Sequence, residues 1–167
     1  MGLVIRDANQ YDLPFIQDTL NHEILNGTAT FDYQPKTSEE IKDFYKSRVE
    51  NNFPLIVALV NKQLAGFATY GPFRQKEGYK YTVEHSIYIP TQFQGKGIGR
   101  YLLNYLIVQA KQNNLKSMIA GIDNSNTASI EFHKKFGFQE VGRIPKAAFK
   151  FDKWLELVFL QLILEDQ

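Results

Sequence analysis

Seven consecutive residues, Gln94-Gly95-Lys96-Gly97-Ile98-Gly99-Arg100, have the types and spacing to grip an anion. Glycines at alternate positions remove each Cβ that would hold a diphosphate away, and they accept positive φ, so successive amides can converge on it. The run leads into Ile98, Leu102, Leu103, Leu106, Ile107 and Ala110, a spacing that puts apolar groups on one side of a helix. A helix start leaves backbone N–H groups unpaired and carries the positive end of the macrodipole. Lys96 and Arg100 add mobile positive charge. An ordinary strand-to-helix turn with surface basic residues is the plainer reading of the same residues. Two other phosphate loops fit poorly: no Ser or Thr follows Lys96 as in a Walker A loop, and the dinucleotide fingerprint calls for glycine where Arg100 stands.

The pattern Gln-x-x-Gly-x-Gly at Gln94, Gly97 and Gly99 resembles the coenzyme A loop of the GNAT family of N-acetyltransferases. Asn126, Ser129-Ile130 and Phe132-His133-Lys134-Lys135-Phe136-Gly137-Phe138 resemble the next motif of that family, at the right distance. Asn21 to Ile24, Gly71 to Arg74, Tyr81 to Ser86 and Lys150 to Trp154 resemble its phosphinothricin and methionine sulfoximine acetyltransferase branch. The resemblance implies acetyl-CoA as donor, a small amino-acid-like acceptor and a homodimer. It further implies that residues Gln94 to Arg100 (Gln94, Gly95, Lys96, Gly97, Ile98, Gly99, Arg100) hold the pyrophosphate. Ile87, Tyr88 and Ile89 would present main-chain groups to the acetyl-pantetheine arm, Ile89 as oxyanion donor. Asn126 would hydrogen-bond that arm, with capping of its own helix as the alternative. Two other functions stay open: acetylation of a peptide or protein amino terminus, which needs an open groove and no carboxylate clamp, and a silent acyl-CoA-binding module.

An ammonium has no lone pair with which to attack a thioester, so an amine acetyltransferase needs a group to take its proton. Glu84 is the candidate. It lies in a strand of apolar, aromatic and small polar residues, where period two gives one face to Thr82, Glu84, Ser86 and Tyr88 and the other to Val83, His85, Ile87 and Ile89. A half-buried setting raises a carboxyl pKa toward the working pH; a salt bridge is the plainer alternative, and the resemblance favours the base. His85, the rival by its intrinsic pKa, is expected to shape the acceptor pocket. His133 stands where many relatives carry a tyrosine held to reprotonate the thiolate, so it is either the acid or a residue on an exposed helix face. Arg74 offers the planar, two-pronged donor that a carboxylate-bearing acceptor calls for. Glu77 would balance a substrate ammonium or hold Arg74. Phe31 either plugs the core or borders the acceptor pocket, as its loop does in the family, while Lys76 reads as solvated and His22 as structural.

These residues need a framework, and 167 residues suffice for one domain, residues 1–167, with a proper core. A formal charge of +1 gives no broad attraction to nucleic acid or anionic membrane. Three scattered histidines and no cysteine give no metal-ligand spacing and no cysteine acyl carrier. No signal-peptide pattern opens the chain, and the last apolar run, 154–164, is short and interrupted by Glu156 and Gln161; a cytoplasmic protein is expected. The pattern predicts an opening strand at 3–6, a helix capped by Asp12 and stopped near Gly27, and a second helix from a Thr37/Glu40 capping box to about Asn51. A hairpin follows, 55–60 with 64–70, ended by Gly71-Pro72. Strands at 81–89 and 116–122 flank the glycine turn and its helix, a short helix covers 126–136 with Gly137 at its end, and strands 139–144 and 154–164 close the chain. The predicted class is α/β (α+β), a mixed, mostly antiparallel sheet covered by helices. The resemblance implies the GNAT version: six or seven strands, strongly twisted and splayed at the centre to admit the cofactor, with about four helices around them.

Overall fold

The computed structural model describes residues 2–165. In chain order the elements are β1 (Leu3–Asp7), α1 (Leu13–Asn26), α2 (Ser38–Glu50), β2 (Leu55–Val60), β3 (Gln63–Pro72), β4 (Thr82–Tyr88), α3 (Ile98–Gln112), β5 (Ser117–Asp123), α4 (Thr127–Lys135), β6 (Gln139–Lys150) and β7 (Lys153–Ile163). The strands form one seven-stranded sheet in the order β1-β2-β3-β4-β5-β7-β6. Every neighbouring pair is antiparallel except β4 and β5, which are parallel. The mixed sheet with four helices is the expected class.

Local chemistry explains several element ends. The Thr37 hydroxyl accepts from the Glu40 amide at 3.2 Å while the Glu40 carboxylate accepts from the Thr37 amide at 2.7 Å, the reciprocal box that starts α2. Asn61 and Lys62 both take positive φ, 49° and 70°, the tight two-residue turn whose twist suits a hairpin. Gly137, at φ 94°, ends α4 in the left-handed region.

Two expectations need correction and one a refinement. Asp12 precedes α1 without capping it: its carboxylate pairs with Arg6 at 2.7 Å and accepts from the Asn9 amide at 2.8 Å, closing a 3-10 turn instead. Gly71-Pro72 ends β3 from inside the strand: the β2–β3 pairing stops at Thr69, while Gly71 and Pro72 are the last strand residues, opposite Glu84 and Val83 of β4. The closing hairpin is also longer than predicted, because β6 continues past Pro145 to Lys150 and turns tightly at Phe151-Asp152. Irregular register between Ile144 and Ala148 absorbs the proline, and β6 is an edge strand, where a missing N–H costs no ladder bond.

Two apolar layers cover the sheet. On one face Ile98, Leu102, Leu103, Leu106, Ile107 and Ala110 of α3 are all buried with Val83, Met118 and Leu160; each fully buried leucine contributes about 1.5–3 kcal/mol. On the other, Leu13 and Ile16 of α1 and Ile41 of α2 pack on Val57 and Phe67. The feature that positions the site is a break between the layers' central strands. β4 and β5 pair only over Thr82–Glu84 against Ser117–Ile119. Beyond Glu84 each is held by its outer neighbour alone, β4 by β3 as far as Tyr88 and β5 by β7 as far as Asp123, so the sheet splays there.

Candidate active site

The glycine turn lies at the mouth of this gap. Gly95 and Gly97 take φ of 73° and 79°, and a Cβ at either would meet nothing within 4 Å, so the turn is an open cradle of backbone. Gly97 is the N-cap of α3 and supplies no side-chain cap, which leaves the first amides of that helix directed outward. Gln94 plays a different part: its side-chain amide donates to the Ile89 carbonyl at 3.0 Å, tying the turn to the end of β4.

An open cleft of about 1510 Å³ runs from this turn through the splay. Ile87, Tyr88, Ile89, Gln94, Gly95, Gly97, Ile98, Gly99, Arg100 and Asn126 line it, as do His85 and His133. Lys96 lies outside that lining, its ammonium 5.3 Å from the centre of the Phe93 ring. Asn126 caps α4 by accepting from the Ser129 amide at 3.1 Å. The cap uses only its oxygen, so its N–H₂ group is left to face a ligand in the cleft.

Strand alternation separates the two candidate bases. Glu84 points to the α1/α2 face and leans across the gap, where a Cβ on Gly121 of β5 would stand 3.2 Å from its Oε2; glycine there makes room for the carboxylate. Burial pushes the Glu84 pKa up, and the charge of Arg74 opposes the shift. Arg74 and Glu77 are both exposed, and no ion pair joins them among the described residues. Arg74 lies 5.0 Å over the Phe73 ring, which meets Tyr79 and Phe159 edge-on. Phe31 is half-buried and belongs to neither core layer. Phe31, Arg74, Glu77 and Glu84 do not line the large cleft.

His85 faces the opposite layer and is buried, with its Nε2 2.9 Å from Nε2 of His133. His133 is buried too, in place of the exposed position that was one of its two expected readings. Its Nδ1 lies 2.7 Å from the Ser129 carbonyl, which only accepts, so Nδ1 carries a proton and Nε2 accepts from His85. Burial and the neighbouring ring push His85 down to about 3, and burial lowers His133. The pair is therefore neutral at neutral pH.

Two buried charged groups near the cleft take partners that no local pattern could supply. Asp123 is buried and accepts from the Thr28 hydroxyl at 2.6 Å and the Ser125 hydroxyl at 2.8 Å. Lys150 is buried and reaches the loop between α1 and α2. Their partners lie 95 and up to 123 positions away in the chain, beyond the reach of any local pattern. Tyr88 stacks on Phe67 with 5.0 Å between ring centres, and burial raises the pKa of its phenol, opposed by a hydrogen bond with Ser86 and helped by the charges of Glu23, Asp32 and Glu84.

The acetyltransferase (GNAT) domain model matches residues 5–158. An L-methionine sulfoximine/L-methionine sulfone acetyltransferase of Salmonella typhimurium is 35% identical over 98% of this chain and 96% of its own. Among solved structures, a GNAT superfamily phosphinothricin acetyltransferase of Sinorhizobium meliloti in complex with acetyl-CoA superposes with a TM-score of 0.95 at 33% identity, covering 98% of this chain and 89% of that one. A ribosomal-protein-alanine N-acetyltransferase of Brucella melitensis gives a TM-score of 0.95 at 37% identity, over 96% of this chain and 99% of the other.

Proposed function

The chain belongs to the GNAT acetyltransferases, and from that premise we propose that residues 1–167 form one domain that moves the acetyl group of acetyl-CoA directly onto the amino group of a small amino-acid-like acceptor. The methionine sulfoximine, methionine sulfone and phosphinothricin type fits best. One observation carries the reading: a backbone cradle for a diphosphate and a carboxyl group with a raised pKa stand on the two sides of a single gap between β4 and β5.

In this reading Gly95, Gly97, Gly99 and the first amides of α3 hold the pyrophosphate, with Lys96 and Arg100 as outer charges. Main-chain groups of Ile87 to Ile89 receive the acetyl-pantetheine arm, Gln94 holds the strand end that presents them, and Asn126 donates to the arm. Arg74 takes the acceptor carboxylate, Glu77 stands beside it, and Phe31 closes the pocket. Glu84 removes a proton from the acceptor ammonium, directly or through water, and the free amine attacks the thioester carbonyl. The Ile89 amide stabilises the tetrahedral oxyanion until it collapses with loss of the coenzyme A thiolate. His133 is the donor candidate for that thiolate. The attacking nitrogen sheds one more proton as the thiolate gains one, so the exchange balances; because Nδ1 of His133 is held by the Ser129 carbonyl and Nε2 by His85, carrying that proton through His133 requires the His85–His133 hydrogen bond to open. His85 acts in this scheme through His133 and not as the base.

Among the described residues no helix is long and apolar enough to cross a membrane. The reading places the protein in the cytoplasm, where resistance to toxic amino-acid analogues would be its role. It includes a homodimer in which exposed Val141, Ile144, Phe149 and Trp154 along the outer hairpin are covered.

The test is free-thiol release from acetyl-CoA with methionine sulfoximine, methionine sulfone, phosphinothricin, ordinary amino acids and short peptides as acceptors. Turnover confined to the analogues is expected. The Brucella relative named for ribosomal-protein alanine favours a second reading, a protein amino terminus as acceptor; turnover with peptides alone would establish it. Acetyl-CoA binding with no turnover at all would leave a silent binding module.

A further inference from the structure

We propose that Lys150 is a positioning residue for the acceptor, fixing the loop between α1 and α2 at the wall of the cleft from the far end of β6. The inference rests on the acceptor reading above and adds the element that sets the wall of that pocket.

Lys150 is 3% exposed, and its Nζ donates to the Gly27 carbonyl at 2.7 Å and the Thr30 carbonyl at 2.8 Å. Burying an ammonium is costly unless acceptors surround it; these two carbonyls, both from one loop, supply them. The same loop is pinned at two further points. Thr28 donates to Asp123 at the end of β5, and the Tyr33 hydroxyl donates to the Phe149 carbonyl, next to Lys150. Inside the loop, the Glu23 carboxylate accepts from the Ala29 amide at 3.0 Å.

The pinned loop forms part of the cleft wall. Thr28 and Ala29 line the cleft. The charges of Glu23 and Asp32 bear both on Lys150 and on the Tyr88 phenol, and Tyr88 also feels Glu84, its neighbour two places along one face of β4. Thr28 and Ala29 thus share the cleft wall with Tyr88 and Gly121, the residue across which the Glu84 carboxylate leans. The donor cradle is built from β4, α3 and α4 and makes no hydrogen bond to Lys150 among the described residues. Loosening the loop should harm acceptor recognition and leave the donor alone.

Lys150→Met keeps the length of the side chain and removes the donor; Lys150→Arg keeps a charged donor. With wild type active on its best acceptor, Lys150→Met is expected to raise acceptor KM about tenfold, the scale of a lost charge-assisted hydrogen bond. Acetyl-CoA KM should stay unchanged, and Lys150→Arg should recover part of the loss. Hydrogen exchange at the Gly27 and Ala29 amides should quicken in Lys150→Met whether or not any acceptor turns over. An unchanged acceptor KM, or an equal rise in both KM values, would overturn the inference. A wild type silent toward every acceptor would sink the acceptor reading instead; exchange would then decide, and unchanged exchange across residues 27–33 would overturn the role of Lys150.

Discussion

In the proposed reading, the donor and acceptor ends of the cleft are built in opposite ways. The donor end comes mostly from one stretch, residues 85–100, and works through backbone: two left-handed glycines, an uncapped helix start and a strand end held by Gln94. The acceptor end is a set of side chains delivered by α1, its following loop, β4, β5 and the β6–β7 hairpin, with Thr28 meeting Asp123 and Lys150 meeting Gly27 across most of the chain. Backbone recognition tolerates exchange of neighbouring side chains but not of the glycines. Side-chain recognition fails one residue at a time, and this is how a family can keep one donor while its acceptors diverge.

The contrast can be broken by substitution. The largest effect is expected at the acceptor end, where Glu84→Gln should lower kcat by about 10²- to 10⁴-fold, the usual worth of a positioned base, while acetyl-CoA binding measured by calorimetry is retained. Undiminished turnover would remove Glu84 from the mechanism. A middle effect is expected at the donor end. Gly97→Val forces a branched side chain to φ 79°, a strain of about 1–3 kcal/mol, and should raise acetyl-CoA KM with little change in acceptor KM. Equal changes in both would mean that the two ends are not separable. The smallest effect is in pH. The acid limb of kcat/KM reports Glu84 losing activity as it gains a proton, so it should lie above 4.5, because burial raises that pKa. Arg74 lowers it, so Arg74→Ala should move the limb to still higher pH while raising KM for carboxylate-bearing acceptors.

What the sequence made legible follows the same division. The six apolar residues of α3 repeat at helical spacing and are all buried, and the Thr37/Glu40 box is closed within a few residues, so each was readable where it stood; the hairpin at 61–63 was legible too, though its turn is one residue shorter than expected because Gln63 pairs with Val60. Alternation in β4 set Glu84 and His85 on opposite faces, as the structure does. Asp12 looked like a cap because aspartate before an apolar periodic run usually is one; Arg6, arriving from β1, claimed the carboxylate first. Pro145 looked like a strand end because edge position cannot be read from composition. His133 looked free to be exposed until His85, 48 residues earlier, was brought against it. Lys150 drew notice only within a motif, and its partners are two carbonyls, groups that every residue carries.

The short parallel contact between β4 and β5 has a consequence for the life of the protein outside catalysis. Past Glu84 these two central strands lack each other's lateral hydrogen bonds, so the middle of the sheet is its least supported part. In the proposed reading the donor's arm lies between them and takes the place of a missing neighbour strand. Any ligand that binds only the folded chain adds RT ln(1 + [L]/Kd) to its stability, about 2.7 kcal/mol at a hundredfold excess over Kd. In the proposed reading, resistance to limited proteolysis should therefore rise when acetyl-CoA or coenzyme A is added, which digestion with and without either ligand measures.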